Sequence, residues 1–509
     1  MAPAAAPAAT PAPRTDPRTD PVGPADDAPP DETVDVVIVG AGLSGVSAAV
    51  HLRRHCPRTR FVMLEARDRV GGTWDLFRYP GVRSDSDMHT LGFAFRPWTE
   101  ARALADGPSI RRYIADTVRE HGLEPTLRHG HRVQRADWTS ADARWTLTVA
   151  TPTGERRIRC RVLDVCSGYY RYDQGHRPRW PGEDAFTGRI VHPQHWPDDL
   201  DHRGRRVAVI GSGATAVTLV PAMAADAAHV TMVQRSPSYV MSLPAVDGVA
   251  VTARRFLPAR LAYRVVRAKN VLLGSFFFRL SRRRPQAMGR WLIRQVAQAL
   301  PPGYDVGRHF TPRYAPWDQR LCLVPDGDLF AAIRSGRASV ATGQVVAFTP
   351  QGLRLDTGEE VAADVVVTAT GLELQLLGGV ALTVDGRAVD PSRALLYKSL
   401  MVADVPNLVL TFGYTNASWT LKADLTARWL CRLVDALDRR GARVAVAPRD
   451  PAVGERPFLD FSSGYVTRAA DRLPKQGDRG PWRAHQNYLR DLWVLRFGRL
   501  DDGTLRFER

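Results

Sequence analysis

Cysteine is scarce. The 509 residues hold five, Cys56, Cys160, Cys166, Cys322 and Cys431, and none forms a C-x-x-C pair. An odd, scattered set supplies neither a disulfide framework nor zinc-ligand spacing. With no charged-then-apolar leader pattern at the N-terminus, it points to a reduced, cytoplasmic setting. Long apolar runs are also missing: none approaches the roughly 20 residues that span a bilayer. Zinc-finger and RNA-binding signatures are absent, so the formal charge of +17 is no argument for nucleic acid. Anionic cofactors and membrane surfaces are the other partners such a charge suits. Acid is missing locally: no Asp or Glu occurs from Arg254 to Arg294. That stretch reads either as a helical insertion with a solvated basic face or as a helix lying on a membrane surface.

What is present reads as an α/β chain long enough for several domains. Residues 1–32 are rich in Ala, Pro, Thr and Asp and are expected to form a disordered tail. Asp35 to Val39 is a short β-branched run, the mark of a buried parallel strand. Gly40-Ala-Gly42-Leu-Ser44-Gly45 and a helical pattern follow, giving strand, G-x-G-x-x-G, helix. These glycines permit a tight turn, close approach of a pyrophosphate and close helix–strand packing, with the phosphates on the helix N-terminus. A second strand ends in Glu65, 20 residues after Gly45, where a carboxylate binds ribose hydroxyls. The helix after this turn carries no close cysteine pair, which excludes dithiol redox chemistry there.

The signature recurs. Arg206 to Ile210 is a buried strand, Gly211-Ser212-Gly213-Ala214-Thr215-Ala216-Val217 is a G-x-G-x-x-A turn opening a helix, and the next strand runs into Arg235-Ser236. Arg235 stands 19 residues after Ala216, where the first turn has its acid. A planar cation there suits a 2′-phosphate, although an Arg at a strand end is often only solvated. The first turn therefore reads as an FAD site and the second as an NADP(H) site.

Two further stretches carry a resemblance. Phe186-x-Gly188-x-x-x-His192-x-x-x-Trp196-Pro197 lies between the two turns; its periodicity marks no clear helix or strand, only an ordered connector. Gly71-Gly72-Thr73-Trp74-Asp75-Leu76 leads to Tyr79-Pro80-Gly81 and Arg83-Ser84-Asp85. Asp85 by itself could be a solvated turn carboxylate. Together the two stretches resemble the short and long fingerprints of the Baeyer–Villiger flavin monooxygenases, and several segments resemble the subgroup typified by the ethionamide-activating enzyme.

The resemblance implies two Rossmann-like domains with a helical insertion. The expected boundaries are 33–170 and 369–509 for the FAD domain, 171–240 and 320–368 for the NADP domain, and 241–319 for the insertion. It implies conversion of ketones to esters or lactones with O2 through a C4a-peroxyflavin, with Arg320 holding negative charge and Asp85 fixing that Arg. Thr73, Trp74, Asp75, Leu76, Arg83, Ser84 and the backbone at Val133 are expected at the flavin. His192 and Trp196 are expected to position rather than to transfer protons. The rival activities are sulfur or nitrogen oxygenation and a non-catalytic nucleotide-binding role.

Overall fold

The computed structural model describes residues 30–319, 321–459 and 461–509. Strand β1 (Glu32–Val39) leads through the first glycine turn into helix α1 (Leu43–His55) and back to strand β2 (Phe61–Leu64). The inner half of β1 is buried on both faces, as its unbroken apolar run requires. β2 flanks β1 on one side in parallel, and strand β3 (Gly154–Val165) flanks it on the other. β3 is long enough to serve two neighbours. It pairs antiparallel with Arg144–Thr151, itself in a hairpin with Arg132–Thr139, and parallel with the later strand Leu408–Leu410.

A second sheet is parallel throughout. Strand β4 (Arg206–Ile210) opens helix α2 (Ala214–Met223), and strand β5 (His229–Gln234) returns beside β4. Ala338–Thr342 lies outside β5, while Val365–Thr368 lies on the other side of β4. The far edge is Arg189–Val191, paired in parallel with Val365–Thr368. That edge strand lies inside the Phe186–Pro197 stretch, where periodicity marks only a connector. Three residues are too few to show a period, and the pairing partner is far along the chain.

The chain crosses between the sheets through one antiparallel ribbon, Tyr170–Gly175 against Leu372–Leu374. Residues between β5 and the second sheet's later strands form an insertion dominated by helix α3 (Ala259–Arg283), flanked by Gly248–Phe256 and Pro285–Ala299. Helix α4 (Trp419–Arg440) packs along α1 in the first domain. Among the described residues, no helix is long and apolar enough to cross a membrane.

Candidate functional site

The first turn shows what each glycine is for. Gly40 sits at φ +103°, and a Cβ there would lie 2.8 Å from the Cys166 carbonyl oxygen at the end of β3. Gly45 allows α1 to rest on the turn itself: a Cβ there would lie 1.9 Å from the Gly40 oxygen. Gly45 is thus a packing residue and not part of the cavity wall. Gly42 caps α1 with extended backbone, and its open side faces Gly72. This leaves a backbone cradle that side chains do not fill, which fits a pyrophosphate at the helix N-terminus. Glu65 accepts from the Ala41 N–H at 2.8 Å and the Arg67 N–H at 3.0 Å. Burial raises its pKa, and those two donors hold it back. Each carboxylate oxygen keeps a lone pair for a ribose hydroxyl.

The glycine pair at Gly71 and Gly72 brings the next segment over this cradle, with the Gly71 N–H bonded to the Ala41 carbonyl at 3.0 Å. Thr73, Trp74 and Leu76 line the cavity, and Val133 joins them from the hairpin. Asp75 does not. Its side chain is fully buried and takes the Arg67 guanidinium at 2.6 Å, with Arg111 at 3.4 Å and Arg78 at 3.7 Å. The expectation of a direct cofactor contact is corrected: Asp75 holds Arg67, and Arg67 faces the cavity. Arg83 also reaches the wall while pairing with Asp328 across to the second domain. Buried Ser84 accepts from the Ser86 N–H at 2.9 Å. Asp85 lies on the wall, close enough for its charge to act on the buried Tyr79 phenol, whose pKa is pushed up to about 12, mainly by burial. Arg320 lies outside the described residues; Leu321 beside it is buried on the cavity wall.

The second turn repeats the geometry with a different finish. Gly211 sits at φ +146°, 2.4 Å (from a built Cβ) from the Ala369 oxygen, while a Cβ on Gly213 would meet nothing within 4 Å. Ser212 bonds to the Ser236 carbonyl at 3.0 Å and to Ser238 at 2.9 Å. Ala216 and Val217 turn into the core beneath α2, so their expected cofactor contact is corrected to packing. Ala214, Thr215 and Thr218 reach the shared cavity; Gly211 to Gly213, Arg235 and Ser236 lie outside it. Arg235 is exposed and forms no ion pair among the described residues, so its guanidinium is available to a phosphate.

The Phe186–Pro197 stretch grips the ribbon between the domains. Phe186 is buried against Phe348, and a Cβ on Gly188 would lie 2.3 Å from the Asp364 oxygen. The His192 ring packs on Gly175, leaving 2.0 Å where a Cβ would be. Burial lowers its pKa, favouring the neutral ring. Gln194 donates to the Arg171 and Tyr172 carbonyls at 2.8 and 2.9 Å. Trp196 packs against the second core and Pro197 is half-buried beside it.

These parts surround one cavity of about 1470 Å³. Its walls come from both nucleotide-binding elements, from α3 through Val271, Phe277 and Phe278, and from Asn416 to Trp419 at the start of α4. The N-terminus of α4 thus presents the positive end of a long helix to the cavity. Trp419 fixes it there: its indole N–H donates to Ser44 at 2.7 Å and its ring stacks on Tyr169. Sequence reading missed Arg67 and Tyr169 as wall builders, and the buried Lys422–Asp491 pair at 2.7 Å beside Tyr414. Gly413 carried a signal for Trp419, since a Cβ there would lie 2.3 Å from the indole.

Fold and site together define a protein with two dinucleotide-binding domains opening on a shared cavity. Residues 130–442 match the model of the flavin-binding monooxygenase-like family, and residues 38–107 match an NAD(P)-binding Rossmann-like domain. The chain belongs to the flavin-binding monooxygenase-like family. It is similar to the FAD-containing monooxygenase EthA of Mycolicibacterium smegmatis, at 52% identity over 481 residues, covering 94% of this chain and 98% of that one. In fold it is similar to steroid monooxygenase bound to NADP (TM-score 0.72, 21% identity, 94% of this chain and 100% of that chain). It is likewise similar to OTEMO in complex with FAD and NADP (TM-score 0.67, 19% identity, 82% and 88%).

Proposed function

We propose that the chain is an FAD- and NADPH-dependent Baeyer–Villiger monooxygenase that inserts one atom of O2 into a ketone to give an ester or lactone. The observation that carries this reading is the single cavity, walled by the first glycine turn, by the first turn of α2 and by the apolar insertion. Electron source, flavin and organic substrate would meet in that one space. FAD supplies the redox and oxygen chemistry when bound.

The chain's own residues supply placement and charge. Gly40, Gly42 and the α1 N-terminus would hold the pyrophosphate, and Glu65 the ribose. Arg235 would meet the 2′-phosphate of NADPH. The α4 N-terminus, fixed by the Trp419–Ser44 bond, favours negative charge on the face of the cavity it meets. Arg320 is the proposed partner of the oxyanion that develops on the ketone oxygen, with Asp85 orienting it. Aromatic and aliphatic side chains of the insertion exclude water, which strengthens these charge interactions. The partners on this reading are a small ketone or sulfide and O2, and the basic insertion is a candidate for peripheral membrane contact.

The test is stoichiometric. A panel of ketones and sulfides is offered to the FAD-loaded enzyme with NADPH, and product is counted against NADPH consumed. One ester per NADPH from ketones supports the proposal. Sulfoxide from sulfides with no ester from any ketone would replace it with sulfur oxygenation.

A further inference from the structure

From Arg254 to Arg294 the chain carries twelve Arg and Lys side chains and no acid. Helix α3, within this stretch, has two apolar faces where a soluble helix has one. Ala262, Tyr263, Val266 and Val271 are buried against the body of the protein. Leu261, Val265, Leu272 and Phe276 recur at spacings of four and seven on the opposite stripe, and they are 47%, 45%, 57% and 63% exposed. Arg264, Arg279 and Arg283 are exposed along the same stripe. The preceding helix, Gly248–Phe256, adds Val249, Val251 and Phe256, also exposed. Single exposed apolar residues are ordinary; a contiguous stripe set in arginine marks a surface that something covers.

Charge decides what covers it. A second copy of the chain would bring its own exposed arginines against these, and like charges repel. An anionic lipid surface meets both components, pairing headgroups with the arginines and the acyl boundary with the apolar stripe. Exposed apolar residues next to this stripe in the chain also reach the cavity: Leu243, Val246, Leu273 and Trp291 line it and are themselves exposed.

We propose that the insertion seats on an anionic lipid surface, so that the cavity opens onto the lipid layer and takes long-chain, bilayer-partitioned ketones from it. The substrate part rests on the monooxygenase reading; the lipid contact does not.

The FAD-loaded enzyme is sedimented with vesicles of phosphatidylglycerol mixed with phosphatidylcholine, and with phosphatidylcholine alone. Retention on the anionic vesicles is expected, weakened about tenfold or more on neutral vesicles or at about 0.5 M salt. The double variant Leu272→Asp, Phe276→Asp, at positions outside the cavity wall, should lose about tenfold or more of that binding. It should oxidise NADPH with a short, water-soluble ketone at the parent rate, and lose rate only with a long-chain methyl ketone presented in anionic vesicles. Failure of the parent to sediment with anionic vesicles at low salt overturns the proposal, as does equal sedimentation of the double variant. A concentration-dependent dimer that the double variant abolishes, without vesicle binding, assigns the stripe to a second copy and also overturns it. If parent and variant use the vesicle-borne ketone equally well, delivery from lipid is overturned. If vesicles bind but no ketone of either kind drives NADPH use, the monooxygenase reading fails and the surface assignment stands.

Discussion

At both glycine turns the first glycine donates its N–H to a carbonyl at the end of the neighbouring strand, Leu64 in one and the penultimate Val233 in the other, each at 2.8 Å. Both helices are capped by a glycine with nearly the same extended dihedrals. The difference lies in what surrounds this shared frame. The first turn is covered by Gly71 and Gly72, backed by the buried Glu65 and tied through Ser44 to a helix from the far end of the chain. The second is bare above Gly213, and Arg235, its proposed phosphate partner, is exposed. One motif thus serves two ends: an enclosed site suits a nucleotide that stays, and an open one suits a nucleotide that exchanges. The strands flanking the central strand differ as well. Asp164 in β3, opposite Ile38, takes the place that Val367, opposite Val209, fills in the second sheet.

Several changes would break or sharpen this contrast. The largest effect is expected from Arg320→Ala, which acts after both sites have done their work. Ester formation should fall about 10²–10³-fold, while stopped-flow reduction of the flavin by NADPH stays near the parent rate; unchanged ester formation would remove Arg320 from its proposed role. Gly45→Ala forces a methyl group against the Gly40 carbonyl and should cost about 3 kcal/mol, read as protein purified with little flavin. The reverse change at the second turn, Ala216→Gly, should leave flavin content intact. Arg235→Ala should weaken NADPH binding by about 1.5–3 kcal/mol and leave NADH binding unaltered; an unchanged preference between the two would contradict the phosphate role.

Asp164 gives a pH test. It is fully buried, and burial pushes its pKa up to about 7. A carboxyl raised in the folded state stabilises the fold while protonated, and that contribution is lost as pH rises from the unfolded value through about 7. Asp164→Asn should therefore raise the thermal midpoint above neutral pH, by an amount equivalent to about 1–3 kcal/mol, and leave it nearly unchanged at acid pH. A midpoint gain of equal size at pH 5 would show that charge is not the cause. The smallest effect is expected from Gly213→Ala. With space around it and a negative φ, it should change stability by less than about 1 kcal/mol, in contrast to Gly45→Ala.

How much the sequence disclosed follows from how local each feature is. The two strand–turn–helix units, and the strand ends beside which Glu65 and Arg235 stand, were legible because they fall at fixed short spacings. The part of Asp75 was not, because a carboxylate in a turn reads the same whether it faces a ligand or three arginines. Nor was the Arg83–Asp328 pair, whose members stand 245 residues apart. The edge strand Arg189–Val191 escaped for the same reason: it is a strand only by virtue of Val365–Thr368. Arg320 came from resemblance alone, since one arginine among so many carries no local mark.

Arg267 has a consequence for how the molecule can move. By chain connection the insertion hangs from the second domain, joined through Val240–Leu243 and its parallel partner Cys322–Pro325. By hydrogen bonding it belongs to the first. Buried Arg267 donates to the His89, Thr90 and Gly92 carbonyls at 2.7, 3.2 and 2.8 Å, and Arg254 donates to those of Trp98 and Thr99 at 2.6 and 2.8 Å. A swing of the second domain about its ribbon would therefore leave this wall behind. The chamber for the organic substrate would keep its shape beside the flavin site while the coenzyme's platform turned, as a fixed jaw keeps its place while the other moves.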